Sequence, residues 1–186
     1  MKRLKRSLCG ILAAGLLYSL PAMAETFLAY ERPEAGVKLK YPADWIKSES
    51  LPGVLVAFGV PKEKANLKMV ENIALTVQEL PADMSTLETY TSMYEKQREK
   101  DPNPPKVIES KKTKLGGQPA QSIVCIGKQN GLEIQFWQVW TIKDAKAYLF
   151  TYGAEKKTYK NFLKEAERIT ASFIFTKPAA APKKVS

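Results

Sequence analysis

Hydrophobic and polar residues alternate through Val37, Lys38, Leu39, Lys40 and Tyr41, which predicts a strand with one buried face. Apolar runs at 54–60 and 73–80 predict two more, separated by the loop-like Pro-Lys-Glu-Lys-Ala-Asn at 61–66. The period then lengthens. Ser85 and Glu88 have capping-box spacing, and Leu87, Tyr90, Met93 and Tyr94 follow as one helical stripe, which predicts a helix from Ser85 with a core-facing side. Asp101-Pro-Asn-Pro-Pro105 ends it, because proline lacks the N–H that a helix needs.

A meander is expected next. Strands at 106–115 and 119–127 flank Gly116-Gly117, and Asn130-Gly131 is a two-residue hairpin turn, whose central positions both need positive φ. Residues 132–142 return, 143–146 turn again, and 147–154 make the last long strand. A helix at about 158–171, with Tyr159, Phe162, Leu163, Ala166 and Ile169 on one side, precedes a closing Ser-Phe-Ile-Phe at 172–175. Residues 176–186, rich in alanine, lysine and proline, are expected to form a disordered tail. The elements predict a single α+β domain over 25–175, an antiparallel sheet with helices packed on it.

The turns also set the register. With Asn130-Gly131 as the turn, Lys128 opposes Glu133, Cys125 opposes Phe136, Ile123 opposes Gln138, and Gln121 opposes Trp140. With Asp144-Ala145 as the next, Gln138 opposes Thr151, Trp140 opposes Leu149, and Trp137 opposes Tyr152. Opposed side chains share a face. One face then holds Val124, Ile126, Trp137, Val139, Tyr148, Phe150 and Tyr152, a packed core. The other mixes Ile123, Phe136, Trp140 and Leu149 with Gln121, Gln138 and Thr151. Such polar groups either satisfy one another internally or line a cleft with an apolar wall and polar anchors. Gln121, Gln138, Trp140 and Thr151 are the candidate ligand-binding residues.

Composition changes this picture in two places. The chain has no histidine among its 186 residues, which excludes Ser-His and Cys-His nucleophiles, histidine-bound zinc and imidazole acid–base chemistry. Its first 24 residues read as a secretory leader: Lys2, Arg3, Lys5 and Arg6, an apolar run from Cys9 to Leu20, the helix breaker Pro21, and Ala22-Met23-Ala24 as the peptidase site. An uncleaved anchor and a lipoprotein are the alternatives, although Cys9 lies at the wrong end of the apolar run for lipidation. Cleavage after Ala24 predicts a periplasmic or secreted protein. It also lowers the formal charge from +10 to +6, since four basic residues leave with the signal. No later stretch is long and apolar enough to span a bilayer.

Cys125 alone among the cysteines survives that cleavage, so no internal disulfide can form. It is a buried small hydrophobe or a reactive thiol. Glu133 is expected to pair with Lys128 across the hairpin, worth about 0.2–1 kcal/mol. Glu95, Glu99 and Asp101 read as a solvated face. No metal or cofactor signature is present, and no nucleic-acid motif. Lys106, Lys111, Lys112 and Lys114 form the densest basic run, either an edge strand guarded against aggregation or an anionic docking patch.

Several of these segments resemble the PsbP/DcrB-like superfamily (Mog/PsbP fold). They are Leu115-Gly-Gly-Gln-Pro-Ala120, Gly131, Gln138-Val-Trp140, Tyr148-Leu-Phe-Thr-Tyr152, Ala171-Ser-Phe173, and near the start Gly36-Val-Lys-Leu-Lys-Tyr-Pro-Ala-Asp-Trp45 with its Tyr-Pro-x-x-Trp corner. The resemblance spans about 27–175. It implies an α/β/α sandwich, a central antiparallel sheet flanked by helices, and non-catalytic work as photosystem accessory subunits, envelope proteins or adaptors to other proteins. Any histidine-containing metal site of the photosystem subunits cannot carry over. Three readings follow: an accessory or adaptor to an envelope protein assembly, a basic-surface binder of anionic lipid or wall polymer, and an enzyme using carboxylates or Cys125. The sequence leaves the oligomeric state open.

Overall fold

The computed structural model describes residues 26–61, 63 and 71–177. The expected leader at 1–24, most of the loop at 61–66 and the tail from 178 onward lie outside the described residues. The chain opens with a hairpin, β1 (Phe27–Arg32) and β2 (Val37–Pro42), turned by a short 3-10 segment and by Gly36 at φ +63°. β3 (Ile46–Ser48), β4 (Val56–Gly59) and β5 (Asn72–Glu79) follow, then α1 (Leu87–Glu99). The meander is β6 (Lys106–Leu115), β7 (Gln118–Gln129), β8 (Leu132–Lys143) and β9 (Lys146–Glu155). Helix α2 (Leu163–Ala171) leads into β10 (Ile174–Phe175).

The strands form two antiparallel sheets. Seven are ordered β3-β4-β5-β9-β8-β7-β6, and three are ordered β1-β2-β10. The meander register is the one its turns dictate: Gln121 opposes Trp140, and Gln138 opposes both Ile123 and Thr151. Asn130 and Gly131 sit at φ +49° and +79°, and Asp144 and Ala145 at +51° and +54°. At the β6–β7 turn, glycine is required for two reasons. Gly116 has φ +54°, and a Cβ there would lie 2.8 Å from the Phe175 ring.

The large sheet has a core on each face. One face packs Ile73, Leu75, Val139, Phe150 and Tyr152 against Leu39 of the small sheet, Ile169 of α2, and Phe173. The opposite face packs Ile123, Trp140 and Ala147 against Tyr90 of α1, with Leu87, Met93 and Tyr94 at its margin. The α+β class and the central antiparallel sheet hold, but the flanking layers are unequal. α1 covers one face, whereas α2 shares the other with the three-stranded sheet. Length explains this. Nine residues of α2 reach about 14 Å, while seven strands at roughly 4.8 Å spacing are more than twice as wide.

Local boundaries differ from the expected ones in three places. The α1 cap is Thr86 with Thr89, one residue beyond Ser85, whose hydroxyl instead donates to the Ala82 carbonyl of the preceding 3-10 turn. α2 starts at Leu163 and not near 158, because 156–161 is turned and the Tyr159 carbonyl accepts the Tyr152 hydroxyl. β1 and β3 were not predicted at all. Trp45 is buried at the end of the core and meets Phe162 edge-on at 6.2 Å.

Candidate functional site

Three of the four candidate ligand residues meet beneath α1. Gln138 accepts a hydrogen bond at Oε1 from the Tyr94 hydroxyl and donates through Nε2 to Thr151 Oγ1, at 2.5 and 3.2 Å. Trp140 is fully buried, donates from Nε1 to Thr91 Oγ1 at 3.0 Å, and lies 4.8 Å from the Tyr94 ring centre to centre. Two residues of α1, Thr91 and Tyr94, thus take up polar groups presented by β8. Gln121 stands apart towards β6, where its Nε2 donates to Ser110 Oγ at 2.9 Å. Desolvation pushes the Tyr94 hydroxyl above its usual pKa, and the Gln138 bond partly offsets that.

The four lysines do not face one way. β6 is an edge strand of the seven-stranded sheet and is exposed along most of its length. Lys106 and Lys111 oppose Ile126 and Ser122, on the α2 side. Lys112 and Lys114 oppose Gln121 and Pro119, on the α1 side. Lys111 is held by Glu109 at 2.6 Å. Lys106, Lys112 and Lys114 have no ion pair among the described residues. The four make a band around one edge, with a β-bulge between Val107 and Glu109 that leaves Ile108 49% exposed.

Two clefts flank this edge, and the sequence reading missed both. One, of about 530 Å³, lies between α2 and the β6–β8 end of the sheet, with Lys111, Trp137, Glu167 and Phe173 in its wall. Trp137 is half-buried there and donates from its indole N–H to Ser122 Oγ at 2.9 Å. The other, about 820 Å³, is shaped by Pro102, Asn103 and Pro104 with Lys106, Ile108 and Lys128. Hairpin arithmetic placed Trp137 on the α2 face, but no local signal says that α2 stops short of β6. In the second cleft the Glu133 carboxylate pairs with Lys156 of the β9–α2 connection at 3.3 Å, and not with Lys128 as expected. Lys128 is directly opposite in register, yet the incoming turn brings a nearer cation.

The reactive groups are placed unfavourably for chemistry. Cys125 is buried at 3% exposure, and desolvation pushes its thiol up from an already high value while Arg98 pulls it down only in part. A raised pKa lowers the thiolate fraction at neutral pH. Native protein is therefore expected to react with a thiol-specific disulfide reagent at about the rate of global opening, and stoichiometrically once denatured. A fast native reaction would contradict this. Glu71 is fully buried immediately before β5, with no hydrogen-bond partner for its carboxylate oxygens among the described residues. No group of three or more Cys, Asp or Glu residues among the described residues is arranged to hold a metal ion, and none of their helices is long and apolar enough to cross a membrane.

Residues 22–175 match the PsbP-like protein family, so the chain belongs to that family. No curated protein sequence matches it. Among solved structures it is similar to the cyanobacterial PsbP, CyanoP, of Synechocystis sp. PCC 6803, at TM-score 0.58 and 19% identity over 87% of this chain and 99% of that one. It is also similar to LpqN of Mycobacterium tuberculosis, described as involved in cell envelope biogenesis, at TM-score 0.60 and 14% identity over 82% and 92%. A Pseudomonas aeruginosa protein of unknown function matches at TM-score 0.52 and 14% identity over 76% and 94%. At these identities the likeness speaks to the fold.

Proposed function

We propose that this PsbP-like protein is exported and works by binding, as a non-catalytic accessory or adaptor to a protein assembly of the cell envelope. The observation that carries the reading is β6, a ten-residue strand at the edge of the seven-stranded sheet among the described residues, bordered by two clefts and carrying four lysines. Such an edge offers main-chain groups, charge and apolar recesses together, as protein recognition requires. The leader-like first 24 residues support export, and the described role of LpqN agrees with an envelope setting. The buried, deactivated Cys125 supports binding over thiol chemistry.

The test is cross-linking of the chain lacking residues 1–24 in native envelope extract at two salt concentrations. A single protein partner retained at the higher salt is expected. A second reading rests on Lys106, Lys112 and Lys114, which have no ion pair among the described residues and suit an anionic lipid or polymer surface. It predicts vesicle or polymer binding that collapses as salt rises, because exposed charges are screened within about 8 Å at physiological ionic strength. Turnover of any substrate with a defined pH–rate profile would overturn both.

A further inference from the structure

We propose that the outer edge of β6, from Glu109 to Leu115, is a strand-addition site for an extended acidic segment of a protein partner. The inference rests on the accessory reading and deepens it by assigning the surface and the partner's chemistry. In an antiparallel ladder, residues alternate between pairs that exchange hydrogen bonds and pairs that do not. Across the two-residue Gly116-Gly117 turn, Leu115 and Gln118 form the first bonded pair. Parity then makes Thr113, Lys111 and Glu109 bonded to β7. Lys114, Lys112 and Ser110 turn their N–H and C=O groups outward, where the sheet has no further strand among the described residues. These outward groups can accept one more strand without any rearrangement.

The charge on this edge defines what can pair with it. Lys112 and Lys114 carry the outward-bonding positions, and neither has an ion pair among the described residues. β6 as a whole has four lysines against the single Glu109. A second copy of β6 would set lysine against lysine, which disfavours self-pairing. A strand with Asp or Glu at alternate positions would meet Lys112 and Lys114 on the α1 face. The bulge at Ile108 ends the straight portion at one side and Gly116 ends it at the other. Ile108 borders the 820 Å³ cleft, where an apolar side chain next to the acidic stretch can seat. Main-chain pairing supplies affinity here, and alternate acidic side chains supply selection.

The probe is an end-capped peptide of alternating Glu and Val, about seven residues long, against a copy N-methylated at alternate amides. The two have equal charge, but only the first can complete a ladder. Hydrogen exchange read by NMR should show the first peptide slowing the amides of Ser110, Lys112 and Lys114. N-methylation should weaken binding about tenfold or more, the loss expected for two or three main-chain bonds. Lys112→Pro removes one outward donor at a position where an edge strand tolerates proline, and it should weaken the unmodified peptide. Lys112→Glu with Lys114→Glu leaves the backbone alone and should abolish binding. Equal affinity for both peptides, or unprotected amides, overturns strand addition in favour of a charged surface, and vesicles of phosphatidylglycerol that bind as well as the peptide do the same. If the cross-linked envelope partner is retained equally by Lys112→Pro and the double glutamate variant, the edge assignment falls while the accessory reading stands. If no protein cross-links, both fall.

Discussion

Phe173→Ala is expected to lower stability by about 3–5 kcal/mol, the range for a buried aromatic reduced to alanine. Phe173 follows α2, is 2% exposed and meets Phe150 edge-on at 5.4 Å and Phe175 at 4.9 Å. It therefore joins the layer made by α2 and β10 to the inner face of β9. Polar anchors lie on either side of it: Lys40 N–H donates to Ser172 Oγ at 2.8 Å, and Thr176 N–H donates to the Gly36 carbonyl at 2.8 Å. Neither replaces the lost ring contacts. Denaturant unfolding should show a lower midpoint with an unchanged slope, since the surface exposed on unfolding stays similar. Phe173→Leu, which keeps most of the volume, should cost less than half as much. A loss below about 1 kcal/mol for the alanine variant, the range of surface substitutions, would mean the closing segment is not packed in this way.

The meander was legible because its turns carry their own chemistry. Asn130-Gly131 and the 143–146 turn have positive φ at both central residues, and a two-residue loop fixes every pair up the ladder. That arithmetic placed Gln138 beside Thr151 and put Trp137 and Trp140 on opposite faces. It could not say what covers a face. α1 lies over Gln138 and Trp140 through Thr91 and Tyr94, more than forty residues earlier in the chain. β1 and β3 escaped notice because they are short or half exposed, with only Tyr30 buried in β1. The small sheet is closed by Ile174 and Phe175 pairing with Lys38 and Val37, a contact with no local signature. The lysine-rich run was legible as a strand, and its place at an edge became clear only from the strand order.

Trp140→Ala is expected to be as costly as Phe173→Ala, about 3–5 kcal/mol, because it empties the centre of the core under α1 and removes the partner of Thr91. Trp140→Phe separates these effects. It keeps most of the apolar area and loses the indole donor, so the cost should fall to about 1 kcal/mol. The neighbouring Gln138 then decides what the polar groups on this face are for. Gln138→Leu keeps the volume but leaves the Tyr94 hydroxyl and Thr151 Oγ1 without their bonds in a half-buried setting. That should cost about 1–3 kcal/mol, the desolvation penalty of orphaned polar groups. Adding Tyr94→Phe removes one orphan, so the double variant should be more stable than Gln138→Leu alone. Thermal and denaturant unfolding of the four proteins of that cycle measure the coupling directly. If Gln138→Leu leaves stability unchanged yet weakens capture of the envelope partner, the face is a binding surface that α1 merely borders. Recovery of stability by Tyr94→Phe identifies the Tyr94–Gln138–Thr151 chain as the polar latch that seats α1, and leaves recognition to the surface beyond it.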